Sequence, residues 1–132
     1  MSPSRAALFE DLVRLMARLR APGGCPWDRK QTHRTLLRYL REESKEVEVA
    51  VKRRDWANLQ DELGDLLLQV LFHAEIASGA GRFDIRDVME SLRSKLIRRH
   101  PHVFGDAKKE VRTARDVLKK WAQIKAAEAR FR

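Results

Sequence analysis

The chain has one cysteine, Cys25, in 132 residues, so no internal disulfide can brace it, and that agrees with a reducing compartment. Glycine and proline are scarce, at 6 and 4, which excludes collagenous and low-complexity classes and favours a compact, helix-rich domain. No apolar run approaches the ~20 residues needed to cross a bilayer. The amino terminus, "MSPSRAALFEDL", lacks an apolar signal core, so a cytoplasmic protein without a membrane partner is expected. Acid is also in deficit. Lys and Arg number 28 against 19 Asp and Glu, a formal net charge of +9, which suits an anionic partner. The basic residues are spread along the chain rather than gathered in a tail, which argues against a DNA-binding arm. No segment reads as a strand and no repeat is visible, so residues 1–132 are expected to form a single all-α domain.

Five helical segments are expected. Leu8, Leu12, Leu15, Met16 and Leu19 recur at helical spacing within residues 4–20. "APGGCPWD" breaks that helix. A second runs from about Lys30 to Arg53, with Asp28 and Gln31 spaced as an N-cap and its N3 partner. Asp55 caps a third, reaching about Ser78, and "GAGRF" ends it. Asp84 opens a fourth, through Arg99. "HPHVFGD" reads as a loop because Pro101 pushes His100 out of helical geometry. The last covers about Thr113 to Ala129. Five helices with short connections make a helical bundle.

Acid is concentrated where a basic chain has least reason to place it. "LREESKEVEVA", residues 40–50, carries four carboxylates. At about 100° per residue, Leu36, Leu40, Val47 and Val51 share one face. Glu43 lies within that stripe and Glu46 at its edge, whereas Glu42 and Glu48 point away. In the next helix Leu59, Leu63, Leu66, Val70 and Ala74 mark the apolar face. Glu62 falls inside it, Asp65 on its flank, and Asp61 outside. A short connection at "RRDWAN" makes the two helices antiparallel and sets Glu43 and Glu46 opposite Glu62 and Asp65. Four converging carboxylates repel unless a cation lies between them, and an oxygen-only set suits Mg²⁺ or Mn²⁺. Buried salt bridges to Lys or Arg of other helices are the alternative, and spacing alone leaves both open.

The fourth and fifth segments show the inverse pattern. Lys95 and Arg99 share the inner side marked by Val88, Leu92 and Leu96, and Trp121 and Lys125 stand one turn apart beside Val117 and Ile124. Snorkelling stems would explain one such residue. Inward cations together with inward acids suggest a polyphosphate ligand, whose oxygens would meet both the cations and a carboxylate-bound metal.

These residues resemble the MazG-type nucleoside triphosphate pyrophosphohydrolases. The family signature, E-E-x-x-E, a spacer, then E-x-x-D, reads here as Glu42-Glu43-x-x-Glu46 and Glu62-Leu-Gly-Asp65, with 15 residues between. "LMARLRAPGGCPWDRKQTH", "DELGDLLLQVLFHAEIA", "GRFD", "KLIRRHPHVFGD" and "WAQIKAAE" resemble family segments in their usual order, over nearly the whole chain. The resemblance implies hydrolysis of a nucleoside triphosphate, canonical or aberrant, to monophosphate and pyrophosphate with Mg²⁺ (or Mn²⁺), in nucleotide-pool control. It makes Glu43, Glu46, Glu62 and Asp65 metal ligands, and Lys95, Arg99, Trp121 and Lys125 the nucleotide's contacts. Glu42, Glu43 and Glu46 become the catalytic carboxylates, with Glu42 or Glu46 the candidate to take the water's proton. It also implies a homodimer or a dimer of dimers that completes the bundle. Many relatives carry two copies of the domain; this chain has one, and "GCPWD" and "RRHPHVF" look most like the amino-terminal copy.

Two other functions compete. A nucleotide-binding regulator would keep the fold without the chemistry. A basic helical nucleic-acid-binding protein fits the net charge, but the sequence offers no recognition helix or stacking platform, and it ranks behind. Cys25, His33, His100 and His102 match no usual zinc spacing. Cys25 has no evident base for a nucleophilic role. Trp27 is expected to pack its loop on the bundle, Phe104 to anchor the second loop, and His73 to be a satisfied core histidine.

Overall fold

The structure is a computed structural model describing residues 2–106 and 110–130. Among the described residues it is all-helical, with seven helices: α1 (Arg5–Arg20), α2 (Pro26–Lys30), α3 (Leu37–Lys52), α4 (Trp56–Gly79), α5 (Ile85–Arg99), α6 (Pro101–Phe104) and α7 (Ala114–Ala129). The five expected helices are all present, and two short ones are added. The chain forms two compact units, residues 1–85 and 86–132.

In the first unit, Met16 of α1, Leu36 and the Leu71–Phe72 pair of α4 form the buried core, with Phe9, Val13, Tyr39, Ile76 and Ile85 packed on it. Trp27 of α2 meets Tyr39 and Phe72 edge-on, with centroids 5.6 and 6.3 Å away, so it closes the loop over the core as expected.

The second expected helix starts later than its spacing suggested, and the reason is a long-range contact. Arg20 Nη1 donates to the carbonyls of Asp28 (2.6 Å) and Gln31 (3.1 Å), which a continuing helix would have used itself. The Thr32 and Thr35 hydroxyls accept from each other's backbone N–H. The Asp28–Gln31 capping pair therefore does not form: Asp28 lies inside α2, and α3 begins only at Leu37. "HPHVFGD" is corrected too, since Pro101 occupies the first position of α6, where its missing N–H costs nothing. Phe104 is exposed rather than an anchor.

The expected apolar faces hold in part. Leu36, the N-cap of α3, and Ala50 within it are buried, Leu40 and Val47 half-buried, and Val51 exposed. On α4 the buried residues include Leu71, Phe72, Ala74 and Ala77, whereas Leu63 and Val70 are exposed. "LLLQVLF" is apolar nearly all round, so periodicity alone does not choose which stripe the rest of the unit covers.

The α3–α4 hairpin sets the register of the acids. The Asp55 N–H donates to Ala50 O and the Arg54 N–H to Val51 O, both at 3.1 Å, the paired bonds of a Schellman ending. That ending needs a left-handed residue, and Arg54 supplies it at φ 53°. Asp55 then caps α4, its carboxylate accepting from Asn58 N at 3.2 Å, as expected. The end of α4 repeats the motif, with Arg82 N to Ala77 O and Gly81 N to Ser78 O, but there the left-handed position is Gly81 at φ 71°.

In the second unit, Thr113 and Asp116 form a capping box that starts α7. Glu128 near the end of α7 binds Arg98 and Arg99 of α5, and His100 meets Trp121 edge-on at 5.2 Å.

An Arg54→Gly variant should be more stable, by roughly 0.5–1 kcal/mol, because glycine removes the side chain's left-handed penalty. Urea unfolding checks this, with a higher midpoint expected at unchanged slope.

Candidate metal centre

Two adjacent helices meeting at a three-residue connection bring acid to acid. One carboxylate oxygen from each of Glu43 on α3 and Glu62 and Asp65 on α4 lies within 4.8 Å of the others. All three residues are half-buried. Among the described residues this is the only cluster of three or more side chains of metal-ligand type. Glu43 Oε2 is fully buried and accepts no hydrogen bond. Burial first, then a hydrogen bond with the Glu62 carboxyl, then the charges of Asp65, Glu62 and Glu46, push Glu43 up to about 7.

The buried salt bridge left open by the sequence does not form here. Among the described residues no Lys or Arg ion pair reaches Glu43, Glu62 or Asp65. Like charge, half-burial and an orphaned oxygen therefore converge on one point, and a hard divalent cation there would supply the missing counter-charge. The donor set fits Mg²⁺ or Mn²⁺: three carboxylates, no sulfur and no imidazole.

The structure does not bring all four candidate ligands together. Glu46, one turn nearer the hairpin, is exposed and lies outside the three-carboxylate cluster, although its charge contributes to raising Glu43. Glu42 is exposed and pairs with Arg38 at 3.6 Å, and Glu48 pairs with Lys52 at 2.8 Å. Lys95, Arg99, Trp121 and Lys125 all fall in the second unit. Lys95, Arg99 and Trp121 are half-buried and Lys125 exposed. Lys125 Nζ lies 6.0 Å from the Trp121 ring centroid, and Trp121 Nε1 is buried without a partner.

Sequence reading missed two arrangements. His73 pairs with His33, Nδ1 to Nδ1 at 2.8 Å. The rings are 5° from parallel with centroids 5.0 Å apart. A nitrogen contact that short at that centroid distance is possible only if the rings lie edge to edge in nearly one plane, sharing one proton. With the two Nδ1 atoms joined by that hydrogen bond, they do not converge on a metal. Burial, then the charge of His33, lowers the His73 pKa. Its partner stands forty positions away, beyond any local spacing rule. The second arrangement is Glu128, whose carboxylate takes Arg98 Nε at 2.8 Å and Arg99 Nη2 at 3.0 Å. These hydrogen bonds, Arg99's first, bring Glu128 down to about 2. Its signal was present: Trp121, Lys125 and Glu128 follow the i, i+4, i+7 spacing of one helix face.

The profile of the MazG nucleotide pyrophosphohydrolase domain matches residues 31–104, which include all of α3 and α4. This chain belongs to the MazG domain family. It is 51% identical over 121 residues to the nucleoside triphosphate pyrophosphohydrolase/pyrophosphatase MazG of Thermotoga maritima, covering 92% of this chain and 45% of that protein. It is 48% identical over 121 residues to the nucleoside triphosphate pyrophosphohydrolase of Escherichia coli K12, at 91% and 45% coverage. The chain thus spans about half the length of the curated relatives it matches. The crystal structure of a mazG-related protein from Thermotoga maritima superposes with a TM-score of 0.71 at 33% identity, covering 89% of this chain and 98% of that one. The MazG helices thus bear the acidic cluster within the matched segment.

The raised Glu43 implies a pH-dependent cost in the metal-free MazG domain. A carboxyl raised on folding stabilises below its unfolded value near 4.5, and that contribution is lost as pH rises through about 7. Glu43→Gln should therefore raise metal-free stability at pH 8 by roughly 1 kcal/mol, with the gain shrinking towards pH 4. Mn²⁺ should raise the melting temperature of the parent and not of the variant. Scanning calorimetry of both proteins across pH reads all three effects, and the His33–His73 pair, common to both, cancels from the difference.

Proposed function

We propose that this MazG domain, with residues 1–132 acting as one functional domain, hydrolyses nucleoside triphosphates to the monophosphate and pyrophosphate. The single observation that carries the reading is the half-buried cluster of Glu43, Glu62 and Asp65, which no Lys or Arg ion pair reaches among the described residues, in a chain of a nucleotide pyrophosphohydrolase family. Mg²⁺, or Mn²⁺ in its place, would supply charge neutralisation for the triphosphate and acidify an attacking water. Glu43, Glu62 and Asp65 would hold the ion, with Glu46 at the margin as the candidate fourth ligand. Glu42 or Glu46 takes the proton released when water adds to phosphorus at the α–β linkage. Glu46 is the freer of the two, because Glu42 pairs with Arg38 at 3.6 Å and no ion pair reaches Glu46 among the described residues. Lys95 and Arg99 pair with phosphate oxygens, and Trp121 offers a face to the base with Lys125 beside it.

The setting follows from the same reading. Leu12, Leu15 and Leu19 of α1 and Leu67 and Leu68 of α4 line an almost wholly apolar groove of about 260 Å³. That surface supports a homodimer or dimer of dimers. No helix among the described residues is long and apolar enough to cross a membrane, which is compatible with work on the cytoplasmic nucleotide pool, canonical or aberrant.

A panel of canonical and modified nucleoside triphosphates, with and without Mg²⁺, tests the activity. Monophosphate and pyrophosphate should appear in equal amounts only with the metal, and Glu62→Ala should lower the rate about 100-fold or more. Tight nucleotide binding with no pyrophosphate from any substrate would instead identify a regulator.

A further inference from the structure

Glu128 has no part in the chemistry above, yet it makes the most extensive ion-pair network among the described residues of the second unit. Its Oε1 accepts from Arg98 Nε at 2.8 Å and Arg99 Nε at 3.4 Å, and its Oε2 accepts from Arg99 Nη2 at 3.0 Å. Arg98 and Arg99 are neighbours on α5 and would diverge by about 100°, but both guanidinium groups turn onto this one carboxylate. Its side chain is only 14% exposed and that of Arg99 25%, so the pair is screened less than a surface bridge.

We propose that Glu128 is a positioning residue for Arg99, fixing the guanidinium side-on so that its remaining edge is presented to a phosphate group of the nucleotide. The inference rests on the nucleotide-binding reading above and adds a residue to it. Side-on pairing through Nε and Nη2 leaves Nη1 for an anion, and among the described residues Nη1 has no hydrogen-bond partner. One carboxylate against two arginines leaves a net positive charge at the spot, which a phosphate oxygen answers. The placement suits that purpose. On α7, Glu128 lies one turn beyond Lys125 and two beyond Trp121, and His100, next to Arg99, packs edge-on against Trp121 at 5.2 Å. Arg99 is thereby tied to the α7 face that carries two of the three other proposed nucleotide contacts, Trp121 and Lys125. A free arginine would have to lose its side-chain entropy on binding, and Glu128 has already restricted it.

The test is steady-state kinetics of the full chain with its best triphosphate, alongside equilibrium binding of a non-hydrolysable analogue and a melting curve for each variant. Glu128→Gln should raise KM and the analogue Kd about 5- to 10-fold while kcat stays within about twofold. Glu128→Asp should recover part of the loss. In an Arg99→Ala background, Glu128→Gln should add nothing. Arg99→Lys keeps the charge but cannot pair side-on, so it should raise KM by a similar factor, and it decides the matter if Glu128→Gln does not fold. A lowered melting temperature with unchanged KM and Kd would reduce Glu128 to a staple between α5 and α7 and overturn the proposal. A lowered KM would also overturn it, by making the carboxylate a competitor of the phosphate. A parent that neither binds nor turns over any triphosphate overturns the functional reading and this one together; a competent parent with an unaffected variant overturns this one alone.

Discussion

Mutual repulsion of Glu43, Glu62 and Asp65 is the constraint on which the first unit turns. Half-buried carboxylates held within 4.8 Å of one another oppose the packing of the helices that carry them. The fold tolerates this because the hairpin is determined elsewhere: by the Schellman ending at Arg54, the Asp55 cap, and the burial of Leu36, Leu71 and Phe72. The raised Glu43 is how the metal-free protein relieves the conflict, since a proton takes the place of a counter-ion. A divalent cation would relieve it more completely, satisfying the orphaned Oε2 as well. A binding site built in advance of its ligand would set stability against function in this way.

The second unit solves the opposite electrostatic problem. Basic side chains there are held in place by acid: Glu128 gathers Arg98 and Arg99, and Glu110 meets Lys120 at 3.3 Å. A cluster of cations that is partly neutralised and fixed in direction suits a polyanion better than the same charges on loose stems. Neither the acidic cluster of the first unit nor the oriented arginines of the second follows from the net charge of +9.

Much of this was legible in the residue order, because helix geometry is local. Glu43 stands three after Leu40 and four before Val47, so its inward direction follows from the 3.6-residue period, as does the outward direction of Glu42 and Glu48. The cap at Asp55 was readable for the same reason. What escaped depends on contacts between distant positions. Arg20 ends α2 by capturing the carbonyls of Asp28 within it and of Gln31 just past it, and no pattern near Asp28 announces that. The uniformly apolar "LLLQVLF" could not declare which stripe would be buried. His33 and His73 share a proton across forty residues, and Glu128 reaches its arginines across about thirty.

The claim beneath all of this is that the carboxylate cluster holds a divalent cation. Mn²⁺ titration at pH 8, followed by the loss of the free-ion paramagnetic resonance signal, measures it directly. The account predicts saturable binding that Mg²⁺ displaces and that Glu62→Ala removes. Linear, unsaturable uptake, or full binding retained by Glu62→Ala, would contradict it.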